Sequence, residues 1–172
     1  MATLYDTWLD RIDSYYEEQY FDTVIEPLCN YKGNSVDGRK ARGKNFDAGY
    51  EVYIYAFFLG LYYGERTPLN GPKAKFRMEM STWGRKKGQQ GRKNYTILQK
   101  YVFAALVAKS DVDLIALDKG EIETKEVCDT LMATLCEYAN TGFALMKSQM
   151  DKNADGFLES DGLMKFLQNF CI

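Results

Sequence analysis

Histidine is absent from this 172-residue chain, and its absence removes whole classes of chemistry. A Ser-His-Asp triad, a Cys-His nucleophile pair and a His-ligated zinc ion all require an imidazole ring. Only carboxylate and tyrosine side chains remain for proton transfer, and no grouping of them in the sequence points to a reaction. The sequence therefore predicts a protein that is not an enzyme.

Cysteine is scarce, with four residues at Cys29, Cys128, Cys136 and Cys171. None of them forms a C-x-x-C pair, which argues against a zinc ribbon or a thioredoxin-like redox site. Cys128 and Cys136 are eight residues apart, about two helical turns, which is too far for a disulfide. We expect buried free thiols in a reducing cytoplasm.

Long apolar runs and targeting signals are also lacking. The N-terminus carries acids where a signal peptide carries bases. No run reaches the ~18 apolar residues of a membrane span. The most apolar stretch, residues 48–63, is interrupted by Glu51 and Gly60 and predicts a helix buried on most sides. We expect a cytoplasmic protein with no membrane partner.

Apolar residues recur every three or four positions along most of the chain, which predicts helices. The second predicted helix covers residues 50–63 and ends at Gly64, a long one covers about 124–150, and the last follows Gly162. For residues 73–80 the sequence does not decide between a strand and a short helix. The predicted fold is all-α: a single compact domain over residues 1–172, with five or six helices and two basic, glycine-rich loops.

Two further helices are predicted between these. Asn94 is expected to cap the third helix, and Ser110 a short one that ends at Lys119. The core stripe of the third helix is predicted from its apolar spacing. It consists of Ile97, Leu98, Tyr101, Val102, Ala105 and Leu106.

The first helix is predicted from an apolar stripe that steps from Tyr5 to Val24, with Pro27 closing it. Its other side carries four carboxylates, at Asp6, Asp10, Asp13 and Glu17. Paired carboxylates can transfer protons or hold Mg²⁺, but a stripe opposite the core lies in water. We therefore expect a solvated acidic face.

The charges are unevenly distributed along the chain. Residues 1–30 contain seven acids and one base, a balance of -6. Residues 31–100, called the basic segment below, contain fifteen bases and five acids, a balance of +10. Residues 101–172 contain six bases and twelve acids, again -6. The overall net charge of -2 hides this pattern.

The basic segment has the composition of a phosphate-binding surface. Glycines let a backbone approach a polyanion, lysine and arginine bind phosphates, and interleaved aromatic rings can stack on unpaired bases. The candidate nucleic-acid contacts are Arg39, Lys40, Arg42, Lys44, Lys73, Lys75, Arg77, Trp83, Arg85, Lys86, Lys87, Arg92 and Lys93. The sequence thus favours a non-enzymatic binding protein for DNA or RNA, such as a small accessory factor of a bacterium or phage.

Three alternatives remain open for these cations. They can be solvated loops balanced by the acids of the same molecule, or a surface that pairs with an acidic partner protein. Anionic lipid is a third polyanion, but no basic amphipathic helix or lipidation signal supports it. The sequence contains no RNP box, zinc finger or homeodomain signature that would recognise particular bases.

The segment DKNADGFLESDG, residues 151–162, resembles the calcium loop of the EF-hand family. The residues that match ligand positions are Asp151, Asn153, Asp155, Phe157 through its carbonyl, and Glu159. At the twelfth position, where the family has a bidentate Glu, this chain has Gly162. The resemblance implies a weak Ca²⁺ site, whereas the alternative is an Asx-rich turn between two helices. No other cofactor is expected.

Overall fold

The computed structural model describes residues 2–29, 46–84, 95–153, 156, 159 and 161–170. These residues are mostly helical, with one two-stranded sheet. The predicted helical class is therefore confirmed in outline, and the sheet is an addition to it. Residues 73–75, where the sequence left strand and helix open, form one of its strands.

In chain order the elements are α1 (Leu4–Leu9), β1 (Tyr15–Glu17), a π-helical turn (Phe21–Ile25) continuing into α2 (Glu26–Leu28), α3 (Gly49–Tyr63), β2 (Lys73–Lys75), a 3-10 turn (Met80–Thr82), α4 (Thr96–Lys109), α5 (Leu114–Asp118), α6 (Thr124–Lys152) and α7 (Gly162–Phe170). Strands β1 and β2 pair with each other. Within the part of the chain described here, none of the helices has the length and apolar character that crossing a bilayer requires.

The chain divides into two compact units. The first unit comprises Met1–Tyr15 and Lys75–Cys136, and the second comprises Tyr16–Ala74 and Glu137–Ile172. The expectation of one domain stays a prediction, and each unit is described by itself.

In the first unit, α1 begins with a capping box. The Thr3 hydroxyl accepts a hydrogen bond from the Asp6 N–H at 3.2 Å, and the Asp6 carboxylate accepts one from the Thr3 N–H at 2.9 Å. One turn later Trp8 is fully buried, with its ring centroid 5.4 Å from that of Phe103 on α4. This aromatic contact fixes α1 against α4, because buried ring pairs add to the energy of burial.

The predicted first helix is broken after Leu9, and the chain is helical again only over residues 19–28. Residues 11–14 are irregular and lead into β1. The reason lies in tertiary hydrogen bonds: the Arg11 carbonyl accepts from the Met80 N–H at 3.2 Å, and the Tyr15 N–H donates to the Cys136 thiol at 3.3 Å. Pro27 lies inside α2, and the helical run ends at Leu28, one residue after it, rather than near Ile25.

The expected solvated acidic face holds for Asp6 and Asp10, which are exposed, but not for Asp13 and Glu17. Both oxygens of Asp13 accept hydrogen bonds from Arg11, which also pairs with Asp129 on α6 at 2.6 Å. Burial opposes the ionisation of Asp13, but the hydrogen bonds and charge of Arg11 outweigh it and lower the pKa of that carboxyl. Glu17, at the far end of the same predicted stripe, is only 7% exposed.

In the second unit, α3 and α6 approach until their backbones touch. A Cβ atom on Gly60 would lie 2.0 Å from the Tyr138 carbonyl oxygen, and one on Gly142 would lie 1.8 Å from the Ala56 carbonyl oxygen. Only glycine fits at these two positions. Helix α3 then ends at Gly64, which adopts a left-handed conformation with φ 86°, as the sequence predicted.

The buried carboxylate of Glu17 holds the loop that follows α3. One of its oxygens accepts from the N–H groups of Asn70 at 2.9 Å and Gly71 at 3.3 Å, and the other accepts from the Gln19 side chain at 2.6 Å. Burial raises the pKa of Glu17, but these hydrogen bonds outweigh it, so the pKa lies below its usual value. The carboxylate is therefore a structural acceptor, placed where a peptide turn needs one.

Two predictions about α4 and α5 also fail. Ile97 and Tyr101 are exposed rather than in the core, where α4 places Val102 and Leu106. The cap of α5 is Asp113, whose carboxylate accepts from the N–H groups of Ile115 and Ala116, while Ser110 ends α4. Asn94, predicted to cap the third helix, lies outside the described residues.

The predicted thiols are as expected where they can be described. Cys29, Cys128 and Cys136 are free and buried. Burial raises the pKa of the Cys128 thiol. Cys171 lies outside the described residues.

Candidate functional site

Most of the predicted nucleic-acid contacts lie outside the described residues. These are Arg39, Lys40, Arg42, Lys44, Arg85, Lys86, Lys87, Arg92 and Lys93. The structure describes the remaining four, Lys73, Lys75, Arg77 and Trp83. Lys73 belongs to the second unit and is exposed, whereas the other three belong to the first.

Lys75 and Arg77 lie at and just beyond the end of β2 in the first unit. The Lys75 ammonium is 5.4 Å from the centroid of the Tyr15 ring, a cation–π distance, and its charge helps to lower the pKa of Asp13 after the larger effects of burial and Arg11. Arg77 is exposed, and its backbone has a positive φ of 54°. Such a conformation is uncommon for a residue with a side chain, and it sets the direction of the backbone just after β2.

A hydrogen bond joins this stretch to α4. The Gln99 side chain donates to the Met80 carbonyl at 2.7 Å, and both residues are buried. The chain that carries Arg77 is therefore attached to the helix that carries Lys100, which is exposed. We call Lys75, Arg77 and Lys100 the cationic edge of the first unit.

Among the described cations, ion pairing differs between the basic segment and the rest of the chain. In residues 46–84 and 95–100, Arg66 pairs with Glu137 at 2.8 Å, while Lys73, Lys75, Arg77 and Lys100 form no ion pair among the described residues. Outside the segment, four of the seven described cations are paired, namely Arg11, Lys119, Lys147 and Lys165. Asp13 and Asp129 both bind Arg11, whereas Glu79, two residues from Arg77, is exposed and forms no ion pair among the described residues.

Of the four predicted contacts that the structure describes, Trp83 has surroundings that differ from the expectation. It is 3% exposed, and its ring meets the edge of Phe76 at 6.2 Å. A buried ring has no free face for a base to stack on, so Trp83 is part of the core of the first unit. The aromatic ring that α4 presents to solvent is Tyr101, which the sequence analysis assigned to the core.

The EF-hand-like loop has some of its predicted ligands engaged by lysines. The Asp151 carboxylate binds the Lys147 ammonium at 2.5 Å, and Glu159 binds Lys165 at 3.3 Å. The Asn153 side chain accepts from the Gly156 N–H at 3.0 Å, a local side-chain-to-backbone hydrogen bond three residues along the chain. Asp155 and Phe157 lie outside the described residues, and no metal-binding group is found among the residues described. The calcium site stays a prediction.

Comparisons with known proteins give no relative: no family model, no curated protein and no solved structure matches the chain.

Proposed function

We propose that the protein binds nucleic acid, DNA or RNA, through phosphates contacted by the basic segment, and that it catalyses no reaction. One observation supports this most: apart from Arg66, the described cations of that segment form no ion pair among the described residues. Unpaired lysine and arginine side chains are available to replace the counterions that surround a phosphate backbone.

Two of the seven acids in residues 1–30 are occupied elsewhere. Asp13 binds Arg11, and Glu17 binds peptide N–H groups of residues 70 and 71. Neither carboxylate is available to neutralise the cationic edge with a salt bridge. A polyanion is therefore the chemistry that complements the basic segment, whose balance of +10 is large for seventy residues.

The test is the salt dependence of binding to oligonucleotides. If five or six phosphates of a duplex are contacted, the logarithm of the affinity falls with the logarithm of salt concentration with a slope of about -5. Replacing Arg85, Lys86, Lys87, Arg92 and Lys93 by Ala should weaken binding uniformly across base sequences and flatten that slope.

A matched variant controls for net charge. Replacing Lys109, Lys119, Lys125, Lys152 and Lys165 by Ala removes the same five charges outside the basic segment. It should lose much less affinity and keep the slope, because its lysines make no phosphate contact in this proposal. A flat salt response of the native protein, or equal losses in both variants, would contradict nucleic-acid binding.

An acidic partner protein is the second candidate, because it would use the same cations. Mixing the protein with single-stranded and duplex oligonucleotides separates the two: a protein partner predicts no retention of either at physiological salt.

A further inference from the structure

The exposed face of α4 carries large apolar side chains. Ile97 is 65% exposed and Tyr101 is 64% exposed, and they are four residues apart, so they lie one above the other on the helix surface. Ala104 and Ala108 continue the same exposed face. A single exposed apolar residue is ordinary, but a row of them along one helix indicates a surface that meets a ligand.

The charge on this helix is of one sign. Residues 96–109 contain Lys100 and Lys109 and no Asp or Glu. Lys100 is exposed and follows Ile97 by three residues, so a cation stands beside the apolar row. The combination of a ring, an aliphatic side chain and a lysine, with no carboxylate on the helix, complements a ligand that has flat apolar faces and negative charge.

The exposed face of α4 belongs to the same unit as two exposed cations of the basic segment, Arg77 and Lys100. Helix α4 begins two residues after the five cations of residues 85–94, and Tyr101 lies about 7.5 Å further along its axis. Through the hydrogen bond between Gln99 and Met80, the same helix is fixed to the stretch that carries Arg77. Arg77 and Lys100 of the basic segment are therefore joined to the exposed face of α4 within the first unit.

Resting on the proposed function, we infer that the ligand is single-stranded nucleic acid, with unpaired bases stacking on Tyr101 and Ile97 while Lys100 contacts the neighbouring phosphates. Every base has a π-face, so such a platform binds without reading sequence. In a duplex the bases are already stacked on each other, and a ring on a helix surface reaches only the backbone. Tyr101 thus contributes to binding of single strands and not of duplexes.

The experiment measures the affinity of the full chain for a single-stranded oligonucleotide and for its duplex at one salt concentration. Tyr101→Ala should weaken single-strand binding about 5- to 150-fold, the range that loss of one stacked base implies, and leave duplex binding within twofold. Tyr101→Phe should restore single-strand affinity, because the ring is kept.

Two controls sharpen the result. Tyr62 is 63% exposed, close to the value for Tyr101, but lies in the second unit, so Tyr62→Ala should leave both affinities unchanged. Lys100→Ala should reduce the salt slope for single strands by about 0.7, whereas Tyr101→Ala should leave that slope as it is, since stacking releases no counterion.

The outcomes separate this inference from the proposed function. If the native protein binds neither single strand nor duplex, both are overturned. If it binds and Tyr101→Ala changes nothing, or weakens duplex binding equally, nucleic-acid binding stands and the stacking face is refuted. If the native chain is a dimer by sedimentation and Tyr101→Ala makes it a monomer without loss of binding, a second copy covers this face and the inference is wrong.

Discussion

At the scale of single residues, the fold depends on polar side chains that hold irregular backbone. Glu17 is buried, yet its carboxylate accepts hydrogen bonds from two peptide N–H groups of the loop after α3 and from Gln19. A buried carboxylate is costly unless it is satisfied in this way. Asn140 adds a second anchor, because its amide donates to the carbonyls of Thr67 and Pro68.

Replacement of Glu17 by Gln should destabilise the protein by about 1–3 kcal/mol at pH 7. The amide keeps one acceptor for Asn70 and Gly71, but it turns an NH₂ group toward the Gln19 donor. Because the pKa of Glu17 is lowered in the folded state, its stabilisation is present above the unfolded pKa of about 4.3 and is lost as the pH falls through the folded value. Urea unfolding from pH 7 to 3 measures this.

The neighbouring Glu18 supplies the control for that experiment, since it is exposed. Glu18→Gln should cost less than about 0.5 kcal/mol at either pH. For Glu17→Gln, the gap to the native protein should narrow as the pH falls, because the native carboxylate loses its charge as the pH passes through its lowered folded pKa. A gap that stays constant across the titration would show that Glu17 acts through packing rather than through its charge.

At the scale of secondary-structure elements, the contact of α3 with α6 depends on glycine. Gly142→Ala should destabilise the protein by about 1–3 kcal/mol, because the new methyl group would meet the Ala56 carbonyl and force the helices apart. Helix propensity alone gives the opposite sign, a gain of about 1 kcal/mol for replacing Gly by Ala. Thermal or urea unfolding of the variant decides between the two effects.

The matching substitution lies two residues further along α6, where Ala144 is exposed. Ala144→Gly should cost about 1 kcal/mol through propensity. If Gly142→Ala were at least as stable as the native protein, the close approach of the two backbones would be wrong.

The sequence predicted well those elements that are determined by residues close together in the chain. Helix α3 is an apolar run closed by Gly64, and α6 has inward positions such as Val127, Leu131 and Leu135, which the structure buries. The first predicted helix failed because its apolar spacing is compatible with a helix, while the bonds that break it reach Met80 and Cys136, far along the chain. Hydrogen bonds to residues so distant in the sequence cannot be predicted from the local spacing of apolar residues.

The positive charge of the candidate site could be predicted from the sequence, but the identity of its exposed aromatic residue could not. The +10 balance of residues 31–100 is visible in the sequence, as is the lack of acids in α4. Which rings are exposed is not, because α4 is apolar on most sides and the spacing cannot tell which side faces the core. The structure buries Trp83 and exposes Tyr101, whereas the sequence predicted an exposed Trp83 and a buried Tyr101.

At the scale of the whole molecule, a chain of net charge -2 that binds a polyanion must do so against its own acids. We expect that neutralising exposed acids of the first unit raises the affinity for nucleic acid. Asp111→Asn, Asp118→Asn and Glu126→Gln together remove three negative charges that form no ion pair among the described residues. The gain should be about two- to tenfold at ~10 mM salt, where the Debye length is about 30 Å.

The same triple variant should lose its advantage as salt is added, since screening shortens the Debye length to about 3 Å at 1 M. A titration of oligonucleotide binding from low to high salt, for variant and native protein side by side, tests this. Replacing Lys109 and Lys125 by Ala gives the reverse control, because it adds to the negative balance of the same unit without touching the basic segment. If the triple variant bound no more tightly than the native protein at low salt, the acids would be too distant from the bound polyanion to repel it, and the charge pattern of the sequence would have no bearing on affinity.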